Sequence, residues 1–241
     1  MPDFFPILIL NARPAAGKSE IINYLQHQAL DDRIARFHVG PMYILDDFPM
    51  LWAWFEEDDL LSHIFHRPRL HTTPEGYFIH DDLWNLLIRR LDLDYQKWIR
   101  DEQEAHTCVI EFSRGTSIGG YQTAYQHLSD QVLKQAVCLY VQVSYEESKR
   151  KNQRRGNVDR LDSILEHSLG DDKMEALYRY DDWHSFSASD PDFLLVRGFK
   201  VPYTIMDDED DVTTQGGDAL ASRLKNSLDQ LWALWRQCQE V

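Results

Sequence analysis

One short stretch near the start of the chain constrains the fold more than any other. Residues 6–11 form an apolar run without alternation, as expected of a strand that is covered on both faces. The run gives way to a loop that ends in Gly17-Lys18-Ser19, and the segment from Ser19 to Ala29 follows it. Ile21, Ile22 and Leu25 share one face of that segment, which predicts a helix. The chain therefore begins with a buried strand, a tight loop and a helix.

The residue types of this loop suit phosphate binding. The pattern G-x-x-x-x-G-K-[S/T] is matched at its last three positions, and Ala12 stands at the first glycine. Backbone amides and the positive end of the helix would cradle the phosphates, with Lys18 on the β- and γ-phosphates and Ser19 on Mg²⁺. A chance Gly-Lys-Ser in a surface turn is the alternative. The predicted nucleotide-binding residues are Ala12, Arg13, Pro14, Ala15, Ala16, Gly17, Lys18, Ser19 and Glu20.

Composition narrows the classes of partner and compartment. The 241 residues are enough for one large α/β domain, and we treat 1–241 as a single domain. A net charge of −15 argues against nucleic-acid binding and against attraction to anionic membranes. The three cysteines, Cys108, Cys138 and Cys238, indicate a reducing compartment. The first residues lack a basic region and a long apolar run, so we expect a cytoplasmic protein.

Strand and helix patterns alternate along the chain, which predicts an α/β fold with a mainly parallel five-stranded sheet and helices on both faces. Pro202 would place the last strand at a sheet edge. The stretch 41–104 lacks strand character and reads as a helical cover over the sheet. The predicted strands are 6–11, 36–40, 107–112, 136–143 and 200–206; the predicted helices include 48–65, 81–104, 121–135 and 149–155, with a less regular helical stretch at 158–184.

Ligands of such sheets bind beyond the carboxyl ends of the strands, which would bring several charged residues together. Glu111, near the end of an apolar strand, is expected to support Mg²⁺ or to form an ion pair with Arg114. Arg114 could hold a phosphate or carboxylate of the substrate, or serve structure alone. Asp46 or Asp47 could accept a proton from an attacking hydroxyl or bind substrate hydroxyls.

Two further groups of residues invite a functional interpretation. The run 149–155 carries five Lys and Arg residues, and Arg150 and Arg154 share a helix face. They could stabilise charge on a transferring phosphoryl group, although charge runs are usually solvated surface. His63, His66 and His71 suggest a metal site, but surface or packing histidines are favoured because no cysteine or well-spaced third ligand accompanies them. Trp52 or Trp54 is a candidate wall of a substrate pocket.

The order of these parts resembles that of P-loop NTPases of the nucleoside and nucleotide kinase group, and is similar to small-metabolite kinases of the shikimate and gluconate type. The resemblance implies a three-layer P-loop NTPase fold with a substrate-covering insertion at about 41–104 and a helical lid at about 144–184. Arg150, Arg154 and Arg155 look like lid arginines that contact ATP. Asp46 to Trp52 is similar in placement to the substrate-base region of deoxynucleoside kinases, and Met206-Asp207-Asp208 would lie near adenine. Those kinases carry Glu-Arg-Ser where this chain has Glu111-Phe112-Ser113-Arg114.

The function expected from the sequence is an ATP- and Mg²⁺-dependent phosphotransferase acting on a small-molecule acceptor such as a nucleoside, nucleotide or metabolite. Lys18, Asp46 or Asp47, Arg150 and Arg154 would be catalytic; Asp46, Asp47 and Arg114 would bind the acceptor; Ser19 and Glu111 would hold the metal. Two alternatives stay open: a P-loop NTPase that hydrolyses ATP or GTP, and a nucleotide-sensing binding protein without turnover. The sequence does not decide the oligomeric state, and a homodimer stays open.

Overall fold

A six-stranded sheet forms the centre of the protein in the computed structural model, which describes residues 3–102, 104–156 and 169–239. The strand order is β2-β3-β1-β4-β6-β5. The pairs β2·β3, β3·β1, β1·β4 and β4·β6 are parallel, and β5 runs antiparallel to β6. The strands are β1 (Ile7–Ala12), β2 (Met42–Asp46), β3 (Thr107–Phe112), β4 (Ala136–Gln142), β5 (Phe193–Val196) and β6 (Phe199–Asp207).

Helices cover both faces of the sheet, as predicted. One core lies between the sheet and α4, α5, α6 and α9; the other lies between the sheet and α1, α2 and α11. The helices are α1 (Lys18–Gln26), α2 (Leu30–Phe37), α3 (Asp47–His63), α4 (Leu83–Asp101), α5 (Gly120–Gln126), α6 (Asp130–Gln135), α7 (Tyr145–Gly156), α8 (Asp171–Tyr178), α9 (Trp183–Ser187), α10 (Val212–Gln215) and α11 (Gly217–Gln239).

The first strand, β1, is the most protected part of the sheet. It lies between β3 and β4, and each of its residues is buried. Ile7 and Ile9 belong to one core, whereas Leu8 and Leu10 belong to the other. Because both faces of the strand are covered, its sequence is apolar at every one of these positions rather than at alternate ones. The loop that follows β1 is thus held by a rigid support.

The predicted second strand at 36–40 is wrong. Residues 36 and 37 end α2, where Phe37 is fully buried and His38 takes the left-handed conformation with φ 55°. The strand β2 instead lies at Met42–Asp46, inside the stretch that was expected to lack strands. Its start is fixed by a hydrogen bond from Thr107 N to Pro41 O, which brings β2 alongside β3. The five residues of β2, directly after Pro41, form too short a strand pattern to stand out from the helical pattern around them.

The prediction of five strands, with Pro202 at an edge, is also wrong. β6 lies between β4 and β5, and the short strand β5 is the edge. Pro202 is tolerated because it lies opposite Phe193 of β5 and outside the ladder with β4, which begins at Tyr203. The missing N–H of proline therefore costs no bond to β4. The tight connection from β5 to β6 has positive φ at Arg197 and Gly198.

The helix predictions are confirmed in part. The segments predicted at 48–65 and 81–104 are α3 and α4, whereas 121–135 is divided into α5 and α6, because Ser129 caps α6 by accepting from Val132 N. Of the stretch predicted as helical at 158–184, residues 158–168 lie outside the described part, and the rest contains α8 and α9. Each described helix is too short or too polar to cross a lipid bilayer.

Candidate active site

The chain leaves two neighbouring strands in opposite directions, and this opens a crevice at the edge of the sheet. From β1 the chain enters α1 on one face, and from β3 it continues to α5 on the other. Such a switch in direction is where ligands bind in open α/β sheets. Lys18 Nζ spans the crevice and donates a hydrogen bond to Ser113 Oγ at 2.8 Å. The side chain of Lys18 is thereby directed to the end of β3.

The loop between β1 and α1, residues 13–17, is a tight bend with two left-handed residues. Ala15 has φ 56° and Gly17 has φ 97°. A Cβ at residue 17 would lie 2.4 Å from Thr213 Oγ1, so glycine is required by both conformation and space. Gly17 is the N-cap of α1 and offers no side-chain hydrogen bond. The amides of the first turn therefore have no cap from this residue and suit an anion.

Three side chains fix the outside of this loop. Ser148 Oγ donates to Pro14 O at 2.6 Å, and Tyr121 Oη donates to Ala12 O at 2.8 Å. Arg13 pairs with Asp181 at 2.8 Å and also donates to Tyr178 O. The guanidinium of Arg13 is therefore engaged with the 178–181 segment, and its expected nucleotide contact would have to come from its backbone. Residues 14–19 line the adjoining cavity, but Ala12, Arg13 and Glu20 do not.

A cavity of about 340 Å³ extends from the loop towards α3, α4 and α8. Its polar end contains Lys18, Ser19, Asp46 and Glu111. Its other end is walled by aromatic and aliphatic side chains, of which Trp52 was expected from the sequence. The remaining large apolar residues of this wall are Phe48, Leu51, Phe55, Tyr77, Phe78, Trp84, Phe112, Ile118, Leu169, Leu177 and Tyr178.

Two carboxyl groups stand side by side at the polar end. Asp46, the last residue of β2, is in register with Glu111 of β3. Burial, followed by the charges of Glu111 and Asp47, raises the pKa of Asp46 to about 7, against an opposing hydrogen bond from Phe48 N. Burial is also the main cause that raises the pKa of Glu111, and Lys18 partly offsets it. A cation placed here would favour the ionised form of both groups.

The donor set at this end fits Mg²⁺ bound together with a nucleotide. Within the described residues there is no cluster of three or more His, Cys, Asp or Glu side chains that would hold a metal unaided. Mg²⁺ is usually bound by only one or two carboxylates, the other ligands being waters and substrate phosphates. The Ser19 hydroxyl, which is exposed, and the buried Glu111 line the same cavity and provide hard oxygen donors. His71, one of the three histidines considered above as a metal ligand, instead stacks on Trp54, with ring centroids 4.8 Å apart.

Arg114 forms an ion pair with Asp47, not with Glu111. The distance from Arg114 Nη1 to Asp47 Oδ2 is 2.7 Å, and the Arg114 side chain is only 1% exposed. Arg114 also donates to Ser113 O at 2.7 Å and to Trp84 O at 2.9 Å. Its guanidinium lies over the rings of Trp84 and Phe112, at 5.4 and 5.5 Å from their centroids. Arg114 and Asp47 both line the cavity, but the charge of each is already neutralised by the other.

The basic helix α7 turns most of its charge away from the cavity. Arg150 pairs with Glu147 and Asp211, and Arg154 contacts Asp211 and Thr214. Neither lines the cavity, so their placement does not support the predicted catalytic role. Arg155 does line it, and its guanidinium lies 2.6 Å from Glu20 Oε1. Of the expected three arginines, only this one lines the cavity and contacts the first turn of α1.

The loop after β6 is also engaged in structure. Lys151 Nζ lies 2.5 Å from Asp208 Oδ2 and 2.9 Å from Asp211. Asp208 accepts from Thr213 N at 2.9 Å, and Thr213 in turn lies against Gly17. Asp207 and Asp208, which the resemblance would place near adenine, do not line the cavity. Through Thr213, the buried contacts of Asp208 support the 13–17 loop from outside.

Sequence reasoning missed several residues of the cavity wall. Lys173 of α8 lies with its ammonium 5.4 Å from the centroid of Tyr77. Phe78 and Trp84 are brought to the wall by a turn that α3 holds through Asp58, which accepts from the amides of Leu70, His71 and Thr72. The spacing of Phe48, Leu51, Trp52 and Phe55 on one face of α3 was the one available signal.

Comparison with known proteins adds no relative to this description: neither the family models searched nor the curated proteins contained a match to the chain.

Proposed function

We propose that this protein is an ATP- and Mg²⁺-dependent phosphotransferase that acts on a small-molecule hydroxyl acceptor. The observation that carries the proposal is the 13–17 loop, with its left-handed Gly17 and with Lys18 directed across the crevice to Ser113. Anions bind where uncapped helix amides and a lysine converge. The loop opens into a cavity that also contains carboxylates and a large aromatic wall, so an acceptor can lie beside the phosphates.

Each residue has a role that its position supports. Lys18 would neutralise charge on the β- and γ-phosphates, and Arg155 could add to this from α7. Asp46 is suited to accept the proton of the acceptor hydroxyl, because it lies in register with Glu111, where a bound cation would keep its carboxylate ionised. Ser19 and Glu111 would hold Mg²⁺, which shields phosphate charge.

In the reaction the acceptor oxygen forms a bond to the γ-phosphorus while the bond from that phosphorus to the β–γ bridging oxygen breaks. The hydroxyl proton passes to Asp46, and ADP leaves with the bridging oxygen. The protein contributes position and charge rather than a covalent intermediate. A chain that only hydrolysed the nucleotide would need no apolar wall beside its phosphates, and this favours transfer over hydrolysis.

Calorimetric titration with ATP and Mg²⁺ tests the nucleotide site. Lys18→Ala should weaken ATP binding by roughly tenfold to a hundredfold, since a hydrogen bond to a charged group is worth about 1.5–3 kcal/mol. Lys97→Ala, on the exposed side of α4, is the matched control and should bind ATP like the unaltered chain. Equal ATP affinity of Lys18→Ala and the control would refute the site. Turnover that rises with an added acceptor would distinguish transfer from hydrolysis, and tight ATP binding without turnover would indicate a sensor.

A further inference from the structure

The acceptor end of the cavity has a composition that narrows the class of molecule it can hold. Five rings follow one another along the wall: Phe48, Trp52, Phe55, Phe78 and Trp84. Neighbouring centroids lie 5.9, 6.3, 5.7 and 4.8 Å apart along this series. All five line the cavity. Such a surface favours a flat apolar body that can pack against ring faces and edges.

The cation that would attract an anionic acceptor is already neutralised. Arg114 is paired with Asp47, gives its terminal nitrogens to two backbone carbonyls, and is almost wholly inaccessible. A phosphate or carboxylate on the acceptor would have to displace Asp47 to reach this guanidinium. Breaking a buried ion pair leaves an uncompensated charge, which is strongly unfavourable.

Three further carboxyl groups of the cavity also oppose an anion. Asp46, Asp81 and Glu111 line the cavity beside the rings. Of the three remaining cations of the lining, Lys18 donates to Ser113, Arg155 pairs with Glu20, and the ammonium of Lys173 lies 5.4 Å from the centroid of Tyr77. Like charges placed near a ligand exclude it as effectively as good contacts select another. The site thus combines an apolar, ring-lined wall with carboxylates near the reacting position.

We propose that the acceptor is an uncharged alcohol with a planar ring, and that the Asp47–Arg114 ion pair excludes ring compounds carrying a carboxylate or phosphate. The inference rests on the proposed phosphotransferase function, of which it names the acceptor class. Asp47 acts in it as a specificity-determining residue: by holding the charge of Arg114, it denies that charge to the ligand.

A matched pair of probes tests this inference. Indole-3-ethanol and indole-3-acetate share a ring and differ in a hydroxyl or a carboxylate, and 2-cyclohexylethanol lacks the planar ring. Binding of each is measured by calorimetry to the full chain saturated with Mg²⁺ and a non-hydrolysable ATP analogue. Indole-3-ethanol should bind at least about tenfold more tightly than each of the others, because an unpaired buried charge or a lost ring contact weakens binding.

Four variants examine the cause of the preference. Asp47→Asn should raise the affinity for indole-3-acetate by about tenfold, since it releases the charge of Arg114 at nearly constant shape. Arg114→Gln should not gain affinity for the acetate. Trp52→Ala should weaken indole-3-ethanol, whereas Trp98→Ala, a ring stacked on Tyr43 outside the cavity, should not. Melting temperatures of all four variants identify any that do not fold, and the comparison of probes on the unaltered chain stands without them.

The outcomes separate the two proposals. Equal or tighter binding of indole-3-acetate by the unaltered chain, or no binding of either indole compound, would overturn the acceptor class. Failure of Asp47→Asn, when folded, to gain affinity for the acetate would overturn the role of the ion pair. Absence of ATP binding, with the indole preference intact, would instead refute the phosphotransferase function.

Discussion

Asp46 and Glu111 lie opposite each other in the register of β2 and β3, and both carboxyl groups line the cavity beside Lys18. Burial raises the pKa of each, and so does the charge of Asp47; the charge of Glu111 further raises the pKa of Asp46. Two like charges on adjacent strands are unfavourable unless a proton or a cation is shared between them. Without a cation, a shared proton would relieve the repulsion between the two carboxyl groups, and a bound cation would replace that proton.

The first prediction concerns stability and pH without nucleotide or metal. The pKa of Asp46 is raised from 3.8 to about 7, so between these values the folded state holds a proton that the unfolded state has lost. The free energy of unfolding should therefore fall as pH rises through this window. Asp46→Asn should flatten the dependence and exceed the parent in stability near pH 8, by roughly 1 kcal/mol or more. Urea unfolding at a series of pH values in EDTA measures it.

Asp32→Asn, an exposed acid of α2, is the control and should leave the slope unchanged. Glu111→Gln removes the neighbouring charge and should move the transition to lower pH. If the unaltered chain instead became more stable from pH 5 to pH 7, and Asp46→Asn abolished that rise, the raised pKa of Asp46 would be contradicted.

A second prediction tests how the 13–17 loop is supported. Arg13 and Asp181 are 15% and 8% exposed, and Arg13 also donates to the backbone of the 178–179 segment. Arg13→Ala should lower the free energy of unfolding by roughly 2–4 kcal/mol, because a mostly buried carboxylate loses its partner. Arg179→Ala breaks an exposed pair with Glu175 in the same segment and should cost much less, because solvent screens such a pair. Equal losses of unfolding free energy in the two variants would argue against a stabilising buried ion pair at Arg13.

A third prediction concerns the close approach between the β3 loop and α8. A Cβ on Gly115 would lie 1.8 Å from Leu177 O, although Gly115 itself has an ordinary φ of −99°. Gly115→Ala should therefore destabilise through backbone displacement alone, by roughly 3 kcal/mol. At Gly170 a Cβ would meet only the Asp172 carboxylate, at 2.9 Å, so Gly170→Ala should cost less than about 1 kcal/mol. Guanidinium unfolding of the pair measures the difference, and a mild effect at Gly115 would mean that α8 can yield.

A fourth prediction concerns the buried carboxylate that holds the 70–72 segment against α3. Burial acts to raise the pKa of Asp58, but donors from Leu70, His71 and Thr72 outweigh it, and the pKa lies below its usual value. Its stabilisation should be present above the unfolded pKa and be lost as pH falls through the folded one. Asp58→Asn should cost roughly 2–3 kcal/mol at neutral pH. Asp59→Asn, an exposed neighbour, should cost less than about 1 kcal/mol in the same thermal unfolding experiment.

What could be predicted from the sequence is what local pattern encodes. The strand at 107–112 was predicted with its observed bounds, because a continuous apolar run bounded by polar residues has few other interpretations. The position of the loop that ends in Gly17-Lys18-Ser19 could be predicted because the loop directly follows another such apolar run. β5 was missed because Phe193–Val196 is too short to stand out, although the turn at Arg197-Gly198 between two apolar runs was an available hairpin signal.

What could not be predicted depends on contacts between distant segments. Nothing near Arg114 indicates that its partner is Asp47 at the start of α3 rather than Glu111, three residues before it in the chain. Likewise, the charges of Arg150 and Arg154 suggested a phosphate as their partner, whereas both guanidinium groups pair with Asp211 in the structure. Pairing of this kind follows from how helices pack on the sheet, and single-sequence periodicity does not contain it.

The complete burial of β1 has a consequence for how a ligand would be received. Amides along Ile7–Ala12 should exchange with solvent only on global unfolding, because no local opening exposes a strand that is flanked by β3 and β4 and covered on both faces. The 13–17 bend is fastened to this slowest-exchanging part, so an arriving anion would spend little entropy in organising it. Adjustment to ligands of different size would then require movement of the opposite cavity wall, where the turn that contains Tyr77 lies against α8.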